Sequence, residues 1–136
     1  MRYSGFLMTR RFSIFSIALL FLITLNACQQ GPITGVKVLI GATVIPEAGA
    51  APIEDAIIVI TKAKITAVGT RRDIPVPQAS DRTDLTGKWI VPAPGFFIAQ
   101  RENANLVILE HAPNGIRPAA ESDVSARIVA GEWQIH

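Results

Sequence analysis

The chain has 136 residues, 49% of them hydrophobic and 18% charged, with 13 basic residues against 11 acidic and a single cysteine. A lone thiol has no partner for an internal disulfide, which excludes a disulfide-stapled scaffold. The length excludes a (β/α)8 barrel, which needs at least about 200 residues, and leaves room for one domain with one modest core.

Residues 1–27 begin with Arg2, Arg10 and Arg11 and continue into the apolar run 12–25. This is the charged start and apolar centre of a secretory signal, and the run is shorter than the ~20 residues of a membrane span. Leu25, Asn26, Ala27 and Cys28 resemble the lipobox of bacterial lipoproteins. The resemblance implies that Cys28 becomes the lipidated first residue of the mature chain. The alternative is an uncleaved signal anchor followed by an ordinary cysteine. Without the signal segment the charge balance is ten basic against eleven acidic, a net −1. The basic character of the whole chain therefore belongs to the targeting segment and gives no case for nucleic-acid binding, which needs a clustered basic face. Arg71-Arg72 reads as a solvated loop.

Residues 28–34 form the lipidated cysteine and a short polar tether, and 35–136 form the domain. Val36 to Ile45 reads as extended chain, with Val36, Val38 and Ile40 on one parity and a bend at Gly41. Two strands follow, 57–61 and 64–68, closed by Lys62-Ala63. That turn lacks the glycine or asparagine that two-residue hairpins favour, which predicts local strain or a looser loop. Pro75 and Pro77 keep 71–80 irregular. Residues 82–85 and 88–91 are expected to pair about Thr86-Gly87. Residues 105–110 form an apolar strand, a short helix or 3₁₀ turn is weakly signalled in 112–123, and 124–129 with 132–135 close as a hairpin over Ala130-Gly131. Short β-branched runs between turns predict an all-β fold, a small β-sandwich or partly closed barrel preceded by a signal-peptide helix.

Catalytic signals are sparse. His111 and His136 are the two histidines, and a zinc site needs three or four ligands on a rigid frame. Glu110 and His111 are adjacent, so a strand points them to opposite faces. Ser80, Ser122 and Ser125 lack a glycine-rich elbow, and no phosphate-binding glycine loop is present. Asp81, Asp84, Glu54 and Asp55 read as turn or cap residues. No catalytic residue, metal ligand or cofactor is expected.

The segments IGATVIPEAGAAPIEDAIIVITKAKITAVG and DLTGKWIVPAPGF resemble the opening of metal-dependent amidohydrolases. The departures are Pro46 for the usual Asp, Ala63 for a hairpin glycine, and the inserted Pro92-Ala93. The resemblance implies a composite β-sandwich, built in that family from both chain ends with the catalytic barrel between them. In one register Gln100 and Glu102 fall where a His-x-His metal pair belongs, and Gln100 cannot replace an imidazole. In a second register Ile98 to Glu110 resembles the family's return from the barrel, with Asn105 for Asp, and Val124 to Trp133 resembles its final hairpin. This second register covers the mature chain with two flanks joined near Phe96-Phe97, the barrel absent. The alternative is a convergent small β-domain.

The resemblance then implies a lipid-anchored, non-catalytic amidohydrolase-like domain, a remnant or an interaction module. The rival reading is the non-barrel piece of a split metal-dependent amidohydrolase acting on C–N bonds of amides or cyclic amides. Loss of the barrel is expected to uncover apolar surface, covered by a second copy or another envelope protein. Gln29 after the cysteine, rather than Asp, implies the outer membrane, with the domain facing the periplasm.

Overall fold

A computed structural model describes residues 35–134. The signal segment, Leu25, Asn26, Ala27, Cys28 and His136 lie outside these residues. The fold is all-β, with two mixed sheets that do not close into a barrel. The strands are β1 Val36–Ile40, β2 Thr43–Val44, β3 Ala56–Thr61, β4 Lys64–Thr70, β5 Asp81–Asp84, β6 Trp89–Pro92, β7 Leu106–Leu109, β8 Val124–Val129 and β9 Glu132–Gln134. One sheet has the order β4-β3-β1-β5 and the other β2-β6-β7-β8-β9. A 3₁₀ turn spans Glu121–Asp123.

The expected pairing of 82–85 with 88–91 does not occur. β5 lies parallel to β1 in the first sheet, and β6 lies between β2 and β7 in the second. Thr86-Gly87 is a corner between sheets rather than a hairpin. The Asp84 carboxylate accepts from Thr86 N at 3.0 Å and Thr86 Oγ1 at 2.6 Å, and Gly87 takes φ +84°. This aspartate turn redirects the chain as a hairpin turn would, so the local sequence carries the same signal for both. The extended run 36–45 likewise breaks at Gly41, φ +88°, and passes from β1 in one sheet to β2 in the other.

The two crossings run side by side. Leu85 N donates to Ile40 O at 2.8 Å, and Thr43 N donates to Lys88 O at 3.0 Å. The parallel pairing therefore continues around the corner. A Cβ on Gly41 would collide with Thr86 Oγ1, and this close approach reserves the position for glycine.

The principal core lies between the sheets, where Leu39, Ile58, Ile60 and Ile65 meet Ile90, Leu106, Ile108 and Ile128. β3 is buried on both faces, which explains the unbroken apolar run Ile57 to Ile60. Its outward residues Ile57 and Val59 join Val38 under Ile74 and Val76 of the proline-bearing segment. The shared parity of Val36, Val38 and Ile40 faces this outer layer. On the other sheet, Val91, Val107 and Leu109 pack with Ile116 of the segment before the 3₁₀ turn. Each sheet thus has an irregular segment over its outer face.

The β3–β4 turn places Lys62 at φ +57°, the anticipated strain, while the β8–β9 turn has positive φ at both Ala130 and Gly131. These turns touch: a Cβ on Gly131 would lie inside contact distance of Lys62 O. Gly131→Ala is expected to cost more than about 2 kcal/mol or to prevent folding, read as the urea midpoint. Lys62→Gly should raise stability by about 0.5 kcal/mol, because relief of the ~1–2 kcal/mol left-handed penalty exceeds glycine's entropy cost. An unchanged or lowered midpoint for Lys62→Gly would contradict the strain at that turn.

Candidate functional site

Residues 93–105 connect β6 to β7 and contain Phe96-Phe97, Gln100 and Glu102. Pro94-Gly95 opens it with a β-turn, Phe96 N donating to Ala93 O at 3.0 Å and Gly95 at φ +84°. Proline before a positive-φ glycine is the favoured chemistry of such a turn. Ile98 N then donates to Pro46 O at 3.0 Å. Arg101 N donates to Ile65 O at 2.8 Å, Ile65 N to Glu102 O at 2.9 Å, and Ala104 N to Ala63 O at 2.8 Å. The loop therefore crosses from the end of β2 in one sheet to the start of β4 in the other. Ile98 and Ala104 are buried in the principal core. The segment caps one end of the sandwich.

Asn105 fixes the base of this cap. It is 8% exposed, its main-chain oxygen accepts from Ala93 N at 3.0 Å, and its Oδ1 accepts from Ala130 N at 2.9 Å. Gly131 N donates to Ala104 O at 3.0 Å beside it. In sequence Asn105 is only a departure from a family aspartate. Its role depends on a turn 25 residues later, and no local signal reveals it.

The two residues considered as failed metal ligands do not converge. Glu102 lines a groove of about 300 Å³ with Pro46, Glu47, Phe97 and Ile98. Gln100 lines a different groove, about 320 Å³, with Lys64, Ile65, Thr66 and Arg101. Both side chains are exposed. Among the described residues no group of three His, Cys, Asp or Glu side chains is placed to hold a metal.

The remaining candidates are engaged in local structure. His111 Nδ1 lies 2.9 Å from Asp123 Oδ1 with its side chain mostly in solvent. Glu110 turns to Lys88 at 2.5 Å, and this hydrogen bond holds its carboxyl below the usual range. Ser125 Oγ donates to Ile108 O at 3.3 Å and Ser80 Oγ to Pro77 O at 2.6 Å. Asp55, in a positive-φ turn, pairs with Arg71 at 2.8 Å, so Arg71 is anchored rather than simply solvated. Asp84 serves the corner turn, and its hydrogen bonds from Thr86 lower its pKa.

No family model matches the sequence, and no curated protein matches it. Nine chains of solved structures match. A molinate hydrolase is 32% identical over 42% of this chain and 12% of its own, with a TM-score of 0.39. The ochratoxinase of A. niger is 26% identical over 42% of this chain and 13% of its own, with a TM-score of 0.32. This chain thus spans a small fraction of the length of either enzyme, and at these TM-scores the likeness decides neither fold nor activity.

Asn105→Ala should lower stability by about 1–3 kcal/mol, because Ala130 N–H loses its acceptor. Asn105→Asp, which keeps an oxygen there, should lose less, and equal losses in chemical denaturation would contradict the assigned bond. Asp84 gives a pH signature. Its folded pKa is lowered, so its contribution is fully present above the ordinary value of 3.8 and is lost as pH falls through the folded one. Asp84→Asn should flatten this acid limb of the stability profile, and an unchanged limb would remove Asp84 as its source.

Proposed function

We propose that this chain is a lipid-anchored, non-catalytic, amidohydrolase-like β-domain of the bacterial cell envelope, acting as a binding or interaction module. The observation that carries the reading is the composite second sheet. β2 and β6 come from the segment before Phe96-Phe97, and β7, β8 and β9 come from the segment after it. β6 and β7 pair directly, Val91 opposite Val107, with the 93–105 cap between them. That is the arrangement implied by two amidohydrolase flanks joined without a barrel. The sequence resemblances at 40–69, 84–96, 98–110 and 124–133 lie on successive parts of this one fold.

Hydrolysis in that family requires a metal-activated water and an oriented base. Gln100 offers no imidazole, and Gln100 and Glu102 open on separate grooves. Among the described residues no three His, Cys, Asp or Glu side chains are gathered to hold the metal that would lower a water's pKa. The lipid anchor rests on Leu25, Asn26, Ala27 and Cys28. Stable attachment takes two or more acyl chains, and Gln29 after the cysteine would send the domain to the periplasmic face of the outer membrane. A second copy or another envelope protein is its expected partner.

Two measurements test the two halves of this proposal. Incorporation of labelled fatty acid should disappear in Cys28→Ala, and its persistence would remove the anchor. Metal analysis of the purified chain should give substoichiometric zinc. Stoichiometric zinc with turnover of an amide substrate would replace this reading with a metal-dependent hydrolase.

A further inference from the structure

The end of the sandwich capped by residues 93–105 carries more than the cap. The described chain begins there: Gly35 O accepts from Lys62 N of the β3–β4 turn at 3.0 Å. The β8–β9 turn lies there too, with Gly131 N on Ala104 O. Among the described residues, the exposed large hydrophobics are Phe96 at 38%, Phe97 at 55% and Val129 at 49%. Phe96 and Phe97 are in the cap, and Val129 adjoins the β8–β9 turn. Lys62, Lys64 and Arg101 are exposed on the same end, and none forms an ion pair among the described residues. Glu47 and Glu102 lie beside Phe97 in its groove.

Chain length makes this placement meaningful. Gly35 is seven residues beyond Cys28, and seven residues span at most about 25 Å. A compact domain of this size has a radius of gyration near 13 Å, so the tether is no longer than the domain is wide. The end that an acylated Cys28 holds nearest to the bilayer is therefore the end bearing the phenylalanines and the free cations. Apolar side chains beside lysine and arginine are the composition of an interfacial membrane contact, and the cations are attracted to anionic headgroups.

We propose that this end is a second membrane contact. Phe96 and Phe97 enter the interfacial layer of the bilayer that holds the Cys28 acyl chains, and Lys62, Lys64 and Arg101 meet headgroup phosphates. The corner end, with Gly41, Arg71 and Thr86, faces away from the membrane. This inference rests on the lipid-anchored reading above.

The test uses the full acylated chain in vesicles of phosphatidylethanolamine and phosphatidylglycerol, some with brominated acyl chains. Acylation blocks Cys28, so one introduced cysteine, Ala99→Cys at the capped end or Arg72→Cys at the corner end, takes an environment-sensitive fluorophore alone. The Ala99→Cys probe should be blue-shifted and quenched several-fold more strongly by the brominated lipid than the Arg72→Cys probe. Phe96→Ser with Phe97→Ser should abolish that difference while vesicle attachment persists. Attachment with equal quenching at both ends overturns this inference and leaves the anchor standing. Loss of attachment, with Cys28 unacylated by mass, overturns the anchor and this inference with it. A blue-shifted, unquenched Ala99→Cys probe together with cross-links between copies would make this face a contact between copies, which also overturns the membrane assignment.

Discussion

The fold depends on a parallel ribbon that bends without losing its hydrogen bonds. β1 and β5 run parallel in one sheet, β2 and β6 parallel in the other, and both chains change sheets at the same level. Leu85 N on Ile40 O and Thr43 N on Lys88 O carry the ladder through the bend. Buried main-chain groups must find partners, and a corner is where a sandwich most easily leaves them unpaired. Running two chains through the bend together lets each satisfy the other. The packing of Gly41 against Thr86 and the aspartate turn at Asp84 follow from that need for close approach.

The opposite end is closed by different means. The 93–105 segment lays Ile98 and Ala104 over the core and bonds to both sheets, while Asn105 ties its base to the β8–β9 turn. Here exposure of large hydrophobics in the described residues comes down to two phenylalanines in the cap and one valine beside the adjacent turn. The outer faces of both sheets have their own covering segments, bearing Ile74 and Val76 on one side and Ile116 on the other. The described domain is thus closed as a sandwich at this end as well.

Much of this was legible in the residues. The β-branched runs at 57–61, 64–68 and 124–129 are strands, the apolar run 105–110 holds the strand Leu106–Leu109, and Ala130-Gly131 is the expected turn. Strand identity is a local property, and alternation with turn chemistry reports it. Sheet membership is not local. Thr86-Gly87 has the same composition whether the next strand folds back or crosses over, and the choice was made by β1, more than forty residues earlier. The positive φ values at Asp55, Arg101 and Ala130 were equally hidden, because none of these residues announces the left-handed region as glycine does, whereas the lack of glycine or asparagine at Lys62-Ala63 pointed to the strain there. Asn105 and the cap illustrate the same limit at the candidate site. Gln100 and Glu102 were visible as failed ligands, whereas their separation into different grooves came from pairings with β2 and β4.

The brevity of the cap also bears on how the chain reaches its fold. β6 ends at Pro92 and β7 begins at Leu106, so the pairing that unites the two flanks closes over thirteen residues. With a barrel of about 250 residues between the same strands, closure would cost about 2–3 kcal/mol more in chain entropy, since that cost grows with the logarithm of loop length. The shorter path also lowers the mean sequence separation of native contacts, which favours faster folding. In this chain β6 to β9 form a meander whose neighbours in sequence are neighbours in space.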